Sequence, residues 1–335
     1  MTQFNLSRRA MAVMASAVLA LGVTACGSDK SGGASGSTEV VNFAILPAEG
    51  QSSSGPLWQP LLDDMSKEIG VPVKPYFASN YTVLVEAMRG NQIQAAWFPA
   101  KTAIEAIDRS NGEVVARIVD PEGRDSYQST LIVKKGSGIT LDDVMSCGKK
   151  YDFGIGDALS TSGTLAPMTF LFNPANVSPE KCFKTVRAAN HQANSFAVAN
   201  GLVQVATSNT INAVTVARAN PGISAQLEEI WRSPPMPEAG IVVRNDLDPA
   251  VKEKIRTFFL TYGRGEGAEA ERQRAILAPL NYSGFNAADE SYLNPVREMI
   301  ADQALADAKA KGDTAAAQRA EAELNRLRAL REVQP

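Results

Sequence analysis

Asp152-Phe153-Gly154-Ile155-Gly156-Asp157-Ala158-Leu159-Ser160-Thr161-Ser162-Gly163 is the stretch on which the fold turns. Asp152–Gly156 reads as a short strand, the next residues as a turn, and Gly163–Phe172 as a helix. The unit then repeats as strand Lys184–Ala188, helix Asn194–Asn200 and strand Val203–Thr207. Strand and helix in alternation are the signature of an α/β fold, a mostly parallel sheet with helices on both faces.

The same alternation runs upstream. Val40–Leu46 is an apolar, β-prone run that ends in a loop of Pro, Gly and Ser. Leu57, Leu61, Leu62, Met65 and Ile69 have helical spacing, and Gly70 stops that helix. Strand Val73–Phe77, helix Tyr81–Arg89, strand Ile93–Phe98, helix Lys101–Arg109 and strands Val114–Val119 and Ser129–Lys134 follow. A restart after Gly136 marks a second, smaller α/β unit, broken by three prolines within Trp231–Pro237. Strand Gly240–Arg244 and helices Pro249–Tyr262 and Glu269–Leu277 complete the pattern. With 335 residues the chain suits two compact lobes better than one core. The tail, Asn294 to Val333, is rich in Ala, Glu, Arg and Leu with one glycine, Gly312, and reads as one or two exposed helices. It serves either as a solvated cap or as a helical dimer contact, which would make a homodimer.

Composition is that of a soluble globular protein, 44% hydrophobic and 21% charged. The first 26 residues stand apart. Arg8 and Arg9 precede an apolar run from Ala10 to Val23, too short for a membrane span, and small residues follow it. That is an export signal. Val23-Thr24-Ala25-Cys26 resembles the bacterial lipobox, which implies a lipidated Cys26; an ordinary signal peptide is the plainer reading. Gly27 to Ser37 supplies a flexible tether, so residues 27–39 would link a lipid anchor on the outer face of the cell membrane, or in the periplasm, to the folded part. Loss of residues 1–26 removes two of 33 basic residues and no acids, leaving 31 against 36 and a net charge of −5. Such a chain shows no nucleic-acid footprint, and any anion site in it must be built locally. Cys147 and Cys182 each lie just before a predicted strand; they pair if those strands are parallel neighbours, and otherwise remain two buried thiols.

The turn Ser160-Thr161-Ser162-Gly163 carries candidate chemistry. A helix N-terminus presents unpaired N–H groups and a partial positive charge, which favour an anion. Three hydroxyls add donors, and Gly163 would let a ligand approach the backbone. Simple N-capping explains the same residues. His191, the only histidine, follows a strand and precedes a helix.

Four segments together resemble the phosphonate-binding proteins of ABC importers, the PhnD family. They are Phe77-Ala78-Ser79-Asn80-Tyr81 with Glu86-Ala87-Met88-Arg89; Ala96-Trp97-Phe98 with Ala106 to Gly112; Gly156 to Gly163; and Asn190-His191-Gln192-Ala193-Asn194 with Ala197 to Asn200. The match spans about Val40 to Arg297. The resemblance implies a two-lobed periplasmic-binding-protein type II (Venus flytrap) fold with a C-terminal helical extension. Crossovers would lie near Tyr127–Val133 and Pro234–Val242, with lobe one at 40–128 plus 241–300, lobe two at 129–240 and the tail at 301–335. It further implies a small phosphorus oxyanion held by Tyr81, Tyr127, Ser160, Thr161, Ser162 and His191, and delivery to an ABC permease and its ATPase, with no cofactor and no metal.

Where the family member built for aminoethylphosphonate carries two acids for the ligand's ammonium, this chain has Ile211 and Ala239. An ammonium buried without a carboxylate costs about 2–5 kcal/mol. The expected ligand is therefore methylphosphonate, phosphite or a related phosphonate, with Glu238 placed to compensate for the missing acids. Phosphate or sulfate is the nearest rival. A hydrolase is the alternative of another class, but no Gly-x-Ser-x-Gly elbow or metal cluster is present, and the expectation is that the protein is not an enzyme.

Overall fold

The computed structural model describes residues 38–48 and 51–333. The expected signal peptide with its lipidated Cys26, and nearly all of the tether, lie outside the described residues. Two mixed sheets form, each the centre of an α/β layer. The larger has the spatial order Gly284–Ala287, Gly112–Val119, Gly240–Arg244, Ala95–Phe98, Val41–Ile45, Val73–Tyr76. Val41–Ile45 is parallel to both its neighbours, whereas Gly240–Arg244 and Gly284–Ala287 run antiparallel to theirs. The smaller sheet runs Leu227–Arg232, Ser129–Lys134, Val205–Asn209, Asp152–Ile155, Thr185–Ala188.

Alternating faces of Val41–Ile45 divide the first core. Val41, Phe43 and Ile45 pack on helix Gln51–Ile69 through Trp58, Leu61, Leu62 and Met65, and on Phe259 of helix Pro249–Thr261. Ala44 faces the other way, toward Leu84 and Met88 of helix Tyr81–Arg89 and Ala103 and Ile104 of helix Ala100–Ser110. The second core centres on Phe153, stacked on Phe183 and edge-on to Phe172.

Two chain crossings join the sheets. Ser126–Tyr127 pairs antiparallel with Met236–Pro237 as a two-stranded ladder between them, so the proline-rich stretch lies at an edge where no donor is missed. The sheets also meet directly. Lys101 donates its backbone N–H to Thr161 Oγ1 (2.9 Å) and its ammonium to the Ala158 carbonyl (2.6 Å), and Thr102 Oγ1 donates to the Leu159 carbonyl (3.0 Å). On another flank Arg218 donates to the carbonyls of Ala278 (3.0 Å) and Pro279 (2.9 Å). The lobes are closed on one another.

Several elements depart from the sequence reading. The helix expected from Gly163 starts at Thr161 and is π-wound over Thr161–Leu165 and again over Met168–Phe172, as the bonds Leu165 N–H to Ser160 O (3.1 Å) and Asn173 N–H to Met168 O (2.9 Å) require. Strand Leu227–Arg232, helix Thr210–Ala219 and strand Gly284–Ala287 were not expected. Cys147 and Cys182 are bonded, with Cα atoms 4.5 Å apart. Their strands are parallel neighbours, Asp152 opposite Thr185. The tail is a hairpin of helices, Asn294–Lys311 and Thr314–Val333, turned at left-handed Gly312. Its first helix reaches both lobes, through the Arg297–Asp108 ion pair (3.0 Å) and the hydrogen bond from Asn173 Nδ2 to Gln303 Oε1 (2.9 Å). No described helix is long and apolar enough to cross a membrane.

Candidate functional site

A cavity of about 50 Å³ lies where the two sheets face each other. From the larger lobe it is lined by Ala48, Ser54, Trp58, Tyr81 and Trp97, and from the smaller by Ser160, Ser162, His191, Asn209 and Ile211. Tyr127 of the connecting ladder, Glu238 just beyond it, Ala239 and Tyr282 complete the lining. No lysine or arginine among the described residues lines it.

Local structure places each polar side chain. Ser160 is the N-cap of the π-wound helix; its Oγ accepts the Gly163 N–H at 2.9 Å, so the plain capping role is real. Capping and lining are compatible, because an accepting hydroxyl retains a proton to give. Ser162 is the hub. Its Oγ lies 3.0 Å from His191 Nε2 and accepts from Asn209 Nδ2 at 3.2 Å, while its carbonyl accepts from Ser129 Oγ at 2.6 Å. No acceptor among the described residues takes the backbone N–H of Thr161 or Ser162, as expected for a first helical turn.

Thr161 is placed differently from the two serines: its hydroxyl accepts the Lys101 N–H across the lobes and also stands next to the Tyr127 phenol. Gly163 is held close to the neighbouring strand. A Cβ there would stand 2.7 Å from the Gly156 Cα, so this glycine serves close packing of helix on strand; the Gly156 N–H donates to its carbonyl at 2.9 Å.

His191 opens helix His191–Ala199, capped by Asn190, whose Oδ1 accepts the Ala193 N–H at 2.8 Å. The His191 N–H crosses to the Ala48 carbonyl at 3.1 Å. Burial pushes its imidazole down to about 4, against a smaller opposing effect of the Thr207 carbonyl, so the ring is neutral at pH 7. Because Ser162 Oγ already accepts from Asn209, its proton is available to Nε2, which leaves Nδ1 to carry the ring N–H. Trp97 Nε1 is buried without a hydrogen-bond partner among the described residues. Tyr127 stands next to Ser162 and Thr161; burial, and then the charge of Glu238, push its phenol above the usual range, so it stays protonated.

Asn209 was missed in the sequence. It caps helix Thr210–Ala219 through the Asn212 N–H (2.7 Å), and an Asn closing a β-prone run ahead of a helix is a readable signal. Tyr81, Tyr127, Ser160, Ser162 and His191 converge on the cavity together with Ile211, Glu238 and Ala239. The arrangement can surround a small anion with neutral donors. No group of three or more His, Cys, Asp or Glu able to hold a metal occurs among the described residues.

Comparison with known proteins agrees. Residues 43–293 match the family described as "ABC transporter, phosphonate, periplasmic substrate-binding protein". The Escherichia coli phosphonates-binding periplasmic protein is 38% identical over 262 residues, 78% of this chain and 76% of that protein. A Pseudomonas aeruginosa binding protein component of an ABC phosphonate transporter superimposes with a TM-score of 0.83 at 36% identity, covering 88% of this chain and 99% of its own. A Prochlorococcus marinus protein solved with methylphosphonate shares the fold, with a TM-score of 0.69 at 22% identity, covering 78% and 97%.

Proposed function

The chain belongs to the family of periplasmic substrate-binding proteins of ABC phosphonate transporters, and on that premise we propose that its cavity takes a small phosphonate or phosphite-type anion, which the closed lobes carry to the membrane permease and its ATPase. The observation that carries this reading is the convergence of Ser160, Ser162, Tyr81, Tyr127, Asn209 and His191 on one cavity that, among the described residues, no lysine or arginine lines. Neutral donors suit capture and release. A hydrogen bond to a charged group contributes on the order of 1.5–3 kcal/mol, so several together offset the drying of an oxyanion. Dipoles hold less rigidly than paired arginines.

Size supports a compact ligand. About 50 Å³ corresponds to roughly three to five water positions, at about 10–15 Å³ each. Ile211 and Ala239 give one end an apolar lining, which favours methylphosphonate or phosphite over aminoethylphosphonate. In this reading lobe one is 40–128 plus 241–300 and lobe two 129–240, with 301–335 as the tail. Closure is the functional motion, because only the closed form brings donors of both lobes to the ligand. The family implies an exported, periplasmic location. A lipid on Cys26, a tether at 27–39, a homodimer through the tail helices and the absence of catalysis are further parts of this proposal.

Isothermal titration of the purified protein with methylphosphonate, phosphite, aminoethylphosphonate, phosphate and sulfate tests it. Tightest binding by methylphosphonate or phosphite supports the reading. Tightest binding by aminoethylphosphonate overturns the ligand preference, and tightest binding by phosphate or sulfate overturns the ligand class.

A further inference from the structure

The end of the cavity that takes the ligand's carbon side is not wholly apolar. Trp97 lines the cavity, and its unpaired indole N–H is a buried donor. Buried tryptophan N–H groups ordinarily find an acceptor, and one left without costs about as much as a lost hydrogen bond. The strand fixes where the ring stands. Side chains alternate along Ala95–Phe98: Ala96 and Phe98 enter the core with Leu84 and Met88, whereas Ala95 enters the opposite core with Phe43 and Ile45, and Trp97 shares its face. On that face Trp97 is in register with Ile45 of one neighbouring strand and Ile241 of the other. Its ring lies 6.1 Å from that of Trp58. Ala239 belongs to the same cluster, so the wall that carries Ala239 also carries one donor without an acceptor. The donors for the oxyanion, Ser160, Ser162, His191 and Asn209, come from the smaller lobe.

An indole N–H only donates. A methyl group on phosphorus offers it nothing, and an ammonium offers it a second donor. Packing against Trp58 alone would be served by a phenylalanine. We propose that Trp97 Nε1 is a specificity-determining donor, and that the ligand is a phosphonate whose carbon-bound group carries a neutral oxygen acceptor, a hydroxyl or a carbonyl. The phosphonate oxygens meet the donors of the smaller lobe while the substituent oxygen accepts from the indole. The inference rests on reading the cavity as a phosphonate site and names the class of phosphonate within it. It also adds a second reason against aminoethylphosphonate, whose ammonium would meet the indole donor to donor.

Hydroxymethylphosphonate and ethylphosphonate are the probes, because they have equal numbers of heavy atoms and only the first carries an acceptor on its substituent. Calorimetry on the wild type is expected to give hydroxymethylphosphonate a Kd about fivefold lower, the gain from one neutral hydrogen bond. In Trp97→Phe the ratio of the two Kd values is expected to fall to about one, whatever the smaller ring costs both ligands, a change that a packing role would not produce. The melting temperature of the ligand-free variant shows whether it folds. A second measurement uses the wild type alone: one of the three tryptophan indole N–H proton resonances is expected to move further downfield with hydroxymethylphosphonate than with ethylphosphonate. Equal Kd values in the wild type, or a ratio that survives in the folded variant, overturn the inference and leave the site reading intact. If the variant does not fold, indole resonances that respond alike to both probes overturn it in the same way. Heat with methylphosphonate or phosphite but with neither probe also overturns it. No heat with any of the four removes the reading of the cavity itself.

Discussion

Acidifying the ligand-free protein from pH 7.5 to pH 5 is expected to remove about 2 kcal/mol of stability through His191 alone. Burial holds the folded imidazole at about 4, whereas an unfolded histidine titrates near 6.5. The group is a base whose folded value is depressed, so its neutral form is the native one. Its contribution is fully present above about 6.5 and is lost as pH falls toward 4, because only the unfolded chain takes up the proton in that window. The whole window is worth roughly 3 kcal/mol, and at pH 5 about 2 kcal/mol of it has gone. The residue is 3% exposed, so solvent screening takes little from that figure. Urea unfolding at both pH values, for wild type and His191→Gln, isolates the effect, because carboxylate titrations are common to both proteins. The wild type is expected to lose about 2 kcal/mol more than the variant between the two pH values. Equal losses would refute the claim that this imidazole is buried and neutral.

Other perturbations test separate contacts. Arg218→Ala removes the guanidinium that spans the closed lobes to the Ala278 and Pro279 carbonyls. For exposed bonds worth about 1 kcal/mol, dissociation in stopped flow should quicken roughly fivefold for every ligand, with the ligand order unchanged. Gly163→Ala would push a Cβ to 2.7 Å from the Gly156 Cα. Calorimetric unfolding should show a loss of about 1–3 kcal/mol, because backbone cannot move aside as a side chain can. Replacing Cys147 and Cys182 together with serine opens a closure of 35 residues, and chain entropy predicts about 4 kcal/mol less stability in urea unfolding.

What the sequence disclosed follows from how local each determinant is. Strand Asp152–Ile155 and the turn after it were readable because a short β-prone run, a turn and a capping serine are neighbours in the chain. Helix Thr210–Ala219 was hidden by its β-branched Thr210, Ile211, Val214, Thr215 and Val216, which favour strand; the Asn209 cap and packing in the smaller lobe override them. Strand Leu227–Arg232 escaped because it is an edge strand with two exposed glutamates, kept in the sheet by pairing with Ser129–Lys134, a partner about a hundred residues away. Gly284–Ala287 is four residues long, below any clear periodicity. At the site, residue types were legible and directions were not. Thr161 turns to Lys101 and Ser162 turns to His191, a division set by helical phase and by the approach of the other lobe. Glu238 was visible as an acid in the sequence, but only the fold brings it beside Tyr127 at the hydroxyl end.

Isothermal titration of methylphosphonate into wild type and into a Ser160→Ala/Ser162→Ala double variant addresses the central claim most directly. Loss of the Ser160 donor, at about 1.5–3 kcal/mol against a charged ligand, together with the Ser162 hydroxyl that anchors His191 and Asn209, predicts at least tenfold weaker binding while the far-ultraviolet circular dichroism stays native. An unchanged Kd in the folded double variant would contradict the account.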